Sequence, residues 1–193
     1  MDFLITDSKL VRILETSQDT RDVNEKLLVS EGEDGLDIAL YIDQSVLDRL
    51  NRENPLSQVH DGNLSDLWVL VEGVSHFVYL VWCAIRDREV TLLELELQAE
   101  IDKYITTLFL IQQQQGKAPG SLHYWLFERP SFDSRLARLE LERYRQANRF
   151  AGKYCRNLET QFLKRGSRGG LFSELRHFYR LPHHGKIRHI DVC

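Results

Sequence analysis

The chain has 193 residues, of which 42% are hydrophobic and 28% are charged, so it can bury a core as one domain over residues 1–193. Its 4 prolines and 11 glycines argue against a disordered or linker-rich protein. The cysteines Cys83, Cys155 and Cys193 are few and widely spaced, which argues against a disulfide framework or a zinc ribbon. Because the opening MDFLITDSKL does not resemble a signal peptide, we expect a cytoplasmic protein.

The net charge of −4 is unevenly distributed along the chain. Residues 1–128 carry 10 basic and 23 acidic side chains, whereas residues 129–193 carry 15 basic and 6 acidic ones. This asymmetry indicates either an anionic partner for the basic part or attraction between the two parts. Both interpretations are open at this stage.

The first 35 residues form an N-terminal extension, in which the pattern of residues 3–16 predicts a short helix. Residues 36–43 alternate between apolar and polar side chains, a period of two that predicts a strand. This strand either pairs with residues 26–30 as a hairpin or lies as an extended arm on the helices. Asp43 or Ser45 then caps a helix over residues 46–52.

Residues 64–87 (LSDLWVLVEGVSHFVYLVWCAIRD) form the longest apolar run and predict a helix about 36 Å long. One wide face of this helix is apolar, so we expect it to be central and packed on most sides. The opposite side carries Glu72 and His76, which are neighbours at the i, i+4 spacing.

Three interpretations of Glu72 and His76 compete. The first is a hydrogen-bonded structural pair in the core, and the second is a metal or acid/base site, for which both residues are catalytic candidates. The third is a membrane span, which the length allows. We expect no membrane partner, because ionisable residues are rare at the centre of such a span.

Residues 92–115 predict a second long helix, capped by Thr91 and antiparallel to the first because the connection is short. Glu96 and Glu100 share one face, which is typical of a solvated surface. Alternatively, they face the first helix, and Glu72, His76, Glu96 and Glu100 together bind a divalent metal. Apart from that metal, the sequence predicts no cofactor.

The C-terminal third is helical and basic. Residues 121–128 predict an aromatic plug for the end of the bundle, residues 135–164 a long helix, and residues 171–181 a further helix. Residues 183–193 predict a basic, histidine-rich surface tail. The basic side chains that would contact nucleic acid, with aromatic residues among them, are Arg145, Arg149, Lys153, Arg156, Arg176 and Arg180.

The segments EGVSHFVYLVW, LELELQAEIDKY, LRHFYR and KIRHI together resemble a family of uncharacterised bacterial proteins. The resemblance covers most of the chain after residue 36. It implies a soluble bacterial protein, and it implies no activity, cofactor or site residue.

The sequence therefore predicts a mainly α, single-domain bundle of four to six helices with a small extended or β element near the N-terminus. It contains no GxSxG, Walker A, GxGxxG or HExxH motif. We expect a non-catalytic intracellular adaptor or regulatory module that binds another protein. The alternatives are a nucleic-acid-associated protein that uses the basic helices and a metal or acid/base enzyme with a Glu/His site.

Overall fold

The computed structural model describes residues 24–32, 35–117, 119–130, 132 and 136–192. Six α-helices and one β-hairpin make up most of these residues, which confirms the predicted mainly α fold with a small N-terminal β element. The helix predicted over residues 3–16 lies outside the described residues.

The β-hairpin consists of strands β1, Glu25–Gly32, and β2, Gly35–Ile42, which pair antiparallel. This confirms the hairpin rather than an extended arm. Helix α1 follows over Gln44–Arg52 and is capped, as predicted, by Asp43, whose side chain accepts from the Ser45 N–H at 2.9 Å.

Helix α2 spans Asp61–Ala84, so it begins three residues earlier than predicted. His60 caps it: its Nδ1 accepts from the Gly62 N–H at 3.1 Å, and Asn63 Oδ1 accepts from the His60 N–H at 3.0 Å. Arg49 of α1 pairs with Asp66 of α2 at 2.8 Å and connects the two helices.

Helix α3 spans Leu92–Gln115 as predicted, capped by Thr91 and ended by Gly116, whose φ of 75° suits glycine. It packs antiparallel to α2, since Trp68 bonds Thr107 near one end and Tyr79 bonds Glu94 near the other. The expectation that α2 is the central helix is wrong, because α3 is the more deeply buried of the two.

The wide apolar face of α2 is partly open to solvent, contrary to the prediction. Val74 is 43% exposed, Val78 is 49% exposed and Ile85 is 75% exposed. The polar side of α2 faces α3 instead. On length and composition, α2 is also apolar enough to cross a membrane, with a mean hydropathy of 1.6 over a window that is 33% buried.

The C-terminal third packs against the other side of α3. A π-helical turn, Tyr124–Glu128, precedes α4, Arg138–Leu158, which continues as a second π-helical turn, Glu159–Leu163. Helix α5 spans Arg168–Arg180 and α6 spans His183–Val192. The prediction of a surface tail over residues 183–193 is therefore wrong for the described residues. They form a helix, and Lys186 and Ile190 on it have no exposed surface.

The main core lies between α3, α4, α5 and α6 and contains Leu97, Tyr104, Tyr154 and Phe178. Two smaller clusters flank it, one around Val46 and Leu67, the other around Tyr79, Cys83 and Leu95. Cys83 and Cys155 are free thiols with no exposed surface, and burial raises the pKa of both.

Candidate metal centre

The interface between α2 and α3 contains a cluster of ionisable side chains. The helical period places Glu72 and His76 on the side of α2 that faces α3, and Glu96 lies opposite them. Each of the three offers one ligand atom, and these atoms lie within 4.8 Å of one another. The structure thus brings together three of the four predicted ligands.

Burial of Glu96 and Glu100 contradicts the expectation that they belong to a solvated face. Glu96 is 6% exposed and Glu100 is 8% exposed. The physical reason is compensation by basic side chains from within the fold: Arg143 Nε of α4 lies 3.3 Å from Glu96 Oε1, and Lys103 pairs with Glu100.

Glu100 is separated from the three ligands by Lys103. The Lys103 ammonium donates to Glu100 Oε1 at 2.5 Å and to Glu72 Oε2 at 2.9 Å. Asn148 of α4 donates to the other oxygen of Glu100 at 3.5 Å. The predicted set of four ligands is therefore not formed as such in the structure.

His76 contributes an unpartnered buried atom to the cluster. Its side chain is 7% exposed, and its Nε2 lies 3.3 Å from Glu96 Oε2 without the alignment of a hydrogen bond. Burial lowers the pKa of His76, but the facing carboxylates, with Glu96 first, raise it by more. A proton that pairs the imidazole with Glu96 and a metal ion bound to Nε2 are therefore two ways to compensate this buried cluster.

Glu25, at the start of β1, is a further acidic group beside the cluster that was not among the residues predicted from the sequence. Its Oε2 is buried without a hydrogen-bond partner among the described residues and lies 3.0 Å from the position of a Cβ on Gly73. Burial raises the pKa of Glu25 to about 7, against the opposing effect of His76. No local sequence pattern predicts that Glu25 lies beside the cluster, because its position depends on how the hairpin packs on α2.

A second buried polar cluster lies further along α3. Lys186 Nζ donates to Gln98 Oε1 at 2.6 Å and lies 4.5 Å from the centre of the Tyr79 ring and 4.8 Å from that of Phe178. Glu94 accepts from the Tyr79 hydroxyl at 2.6 Å and pairs with Arg88. These contacts connect α6 to α2 and α3.

The six basic side chains predicted to contact nucleic acid lie on α4 and α5, and all are exposed. Lys153 Nζ lies 3.4 Å from Asp191 Oδ1, and Arg156 donates to Glu128 at 2.5 Å. The acidic and basic parts of the chain do pack on each other, because the Arg143–Glu96 and Arg156–Glu128 pairs connect them.

The fold and the site together define a helical protein with a carboxylate and histidine cluster between two antiparallel helices. Comparison with protein families, with curated proteins and with solved structures gives no match. The kind of ion that this cluster would bind is therefore inferred from its oxygen and nitrogen atoms. Carboxylate oxygens with one imidazole nitrogen suit first-row divalent ions such as Mn²⁺, Fe²⁺ and Zn²⁺.

Proposed function

We propose that this protein binds a divalent transition-metal ion between α2 and α3 through Glu72, His76 and Glu96. The observation that carries the proposal is His76 Nε2, which is buried, makes no aligned hydrogen bond among the described residues and lies 3.3 Å from Glu96 Oε2 in the acidic cluster. A buried imidazole beside carboxylates needs either a proton or a metal ion to compensate the negative charge.

The distances support a metal ion with a small adjustment of the side chains. Bonds of about 2.0–2.2 Å to nitrogen and oxygen place neighbouring ligand atoms roughly 3–4 Å apart. The three ligand atoms already lie within 4.8 Å of one another. Arg143 holds Glu96 from outside the three ligand atoms, as secondary partners do in metal sites.

The chemistry open to such a centre is that of a Lewis acid. A bound divalent ion polarises an oxygen ligand or lowers the pKa of a bound water, so the site supports the metal or acid/base enzyme among our alternatives. Glu25 on the hairpin is a further carboxylate that such a centre could use as an acid or base, since its unpartnered oxygen is buried beside the cluster.

The test is metal binding by protein freed of metal with a chelator. We expect saturable binding of Mn²⁺, Fe²⁺ (without oxygen) or Zn²⁺ by titration calorimetry, and retained metal by elemental analysis. His76→Gln and Glu96→Gln should each weaken binding roughly 10- to 100-fold or more. Absence of saturable binding to the wild-type protein would overturn the proposal.

Matched control variants come from buried residues of the same types elsewhere. His123 is 5% exposed and contacts the Gly152 carbonyl at 2.8 Å, and Glu94 is 1% exposed. His123→Gln and Glu94→Gln should keep the wild-type metal affinity if they fold. If all four variants lose binding equally, the effect is one of folding, and His76 and Glu96 have structural roles only.

Binding of a partner protein is a second candidate function, which the α2 strip of Val74, Val78 and Ile85 favours. Exposed apolar surface on one side of a helix is typical of interaction sites. An affinity pull-down at low salt, with and without nuclease, should recover a stoichiometric protein. Val78→Asp should abolish that recovery. Leu139→Asp, which changes an exposed apolar residue on α4, should not.

A further inference from the structure

We infer that the centre holds one metal ion and not two, because the ammonium group of Lys103 occupies the position that a second cation would take. This inference rests on the proposed metal site and specifies its stoichiometry. In a helix bundle, two facing pairs of carboxylates often bind two ions. Here a side chain of α3 supplies one of the two cations.

The position of Lys103 is that of a cation shared between carboxylates. Its Nζ lies 2.9 Å from Glu72 Oε2 and 2.5 Å from Glu100 Oε1. Glu72 also offers a ligand atom to the cluster with His76 and Glu96. One carboxylate therefore borders both cation positions, and the ammonium fills the second of them.

Each oxygen of Glu100 already has a partner within the fold. One oxygen accepts from Lys103, and the other accepts from Asn148 Nδ2 at 3.5 Å. Asn148 is itself held, since it donates to the Leu126 carbonyl at 2.9 Å. These contacts direct Glu100 away from the three ligands and towards the lysine.

The surroundings of Lys103 are those of a bound cation. It is 8% exposed, and its ammonium group lies between two carboxylates, within hydrogen-bond distance of both. The buried Lys186 has different surroundings, because its Nζ faces the neutral amide of Gln98 and aromatic rings.

The test is the stoichiometry of Mn²⁺ binding, measured by titration calorimetry and by electron paramagnetic resonance. We expect one equivalent with a mononuclear spectrum for the wild-type protein and for Lys103→Arg, which keeps the cation. Lys103→Ser removes the charge and opens space, so it should bind two equivalents with a spin-coupled spectrum. Lys186→Met, at the other buried lysine, should keep one equivalent.

A milder variant keeps the inference testable if Lys103→Ser does not fold. Lys103→Gln removes the competing charge from Glu72 and should bind the first ion at least roughly tenfold more tightly. Two equivalents bound to the wild-type protein, or unchanged binding in both Lys103→Ser and Lys103→Gln, would overturn the inference. Zero equivalents bound to the wild-type protein would overturn the proposed function itself, which is a different result.

Discussion

Two buried lysines in this protein have opposite pKa shifts, and their neighbours explain the difference. Lys103 lies between two carboxylates, which stabilise its charged form. Lys186 has no exposed surface and faces aromatic rings and the neutral amide of Gln98. Burial therefore dominates at Lys186 and lowers its pKa to about 7, with Glu94 and Asp102 opposing the shift.

We predict that Lys186 makes the free energy of unfolding increase with pH above about pH 7. A lysine in the unfolded chain titrates near pH 10.5, so between pH 7 and that value the unfolded state binds more protons than the folded state. The stability then rises by at most about 1.4 kcal/mol per pH unit from this group. Lys186→Met should flatten the rise.

Urea denaturation of both proteins at pH 7, 8 and 9 measures this effect. The groups that also face Lys186 must be considered in its interpretation: Glu94 and Asp102 on α3, Arg88 in the connection, and Cys83 and Tyr79 on α2. A pH dependence that is the same in the wild-type protein and in Lys186→Met would contradict the prediction.

At the scale of elements, the hairpin docks on α2 where the helix has no side chain. A Cβ on Gly73 would lie 2.9 Å from Leu40 Cδ1 and 3.1 Å from Ile42 Cδ1. It would also lie 3.0 Å from Glu25 Oε2. The absence of a side chain at position 73 therefore sets how closely the hairpin approaches the cluster of Glu72, His76 and Glu96.

Gly73→Ala should destabilise the protein by about 1–3 kcal/mol, because two strand side chains must move to admit the methyl group. Chemical denaturation provides the measurement. Gly169→Ala in α5 is the control, since no atom outside its own helix lies within 4 Å of its Cβ position and alanine favours the helix. A neutral Gly73→Ala would show that the hairpin adapts freely.

Most elements were predictable from the sequence because local patterns determine them. Alternation indicated β2, and Asp43 and Thr91 marked the starts of α1 and α3. The helical period gave the long helices within a few residues. Residues 183–193 were misjudged because Lys186 and the histidines suggested solvent, whereas α6 in fact buries the lysine stem and ammonium against aromatic rings.

The candidate site was predictable in part. Glu72 and His76 stood out as polar residues in an apolar run, and the antiparallel connection correctly placed Glu96 opposite them. The burial of the glutamates could not be derived, because a solvated acidic face and a compensated buried one have the same spacing. What decides between them is a partner far away in sequence, such as Arg143.

At the scale of the whole molecule, metal binding should increase stability through linkage. An ion that binds the folded state but not the unfolded state adds about 2.7 kcal/mol at a concentration 100 times its dissociation constant. The midpoint of thermal unfolding should therefore rise with added Mn²⁺ and fall after chelation. His76→Gln should show little of this response, and an equal response in both proteins would place the ion elsewhere.

The basic surface gives a second prediction at this scale, which belongs to the nucleic-acid hypothesis. Each phosphate contact on a single strand contributes about −0.7 to the slope of log affinity against log salt concentration. Replacing Arg145, Arg149, Arg176 and Arg180 by glutamine should reduce affinity for a single-stranded RNA and flatten that slope. Replacing Lys153 and Arg156 should do less, because they pair with Asp191 and Glu128.

Fluorescence anisotropy at several salt concentrations measures both variants against the wild-type protein. Equal binding by all three proteins would argue against a nucleic-acid-binding role for these basic side chains. It would favour a role for the basic part in ion pairs within the protein. The mixed charge of the chain would then serve mainly to hold its acidic and basic parts together, as the Arg143–Glu96 pair already does.

The two buried thiols provide natural probes of how this protein opens. Cys155 lies in the main core, and Cys83 lies in the small cluster with Tyr79. Because both are fully buried with raised pKa values, a thiol reagent should modify either one only after local or global opening. Their labelling rates would then show whether the α2 side of the molecule, next to the proposed metal site, opens separately from the main core.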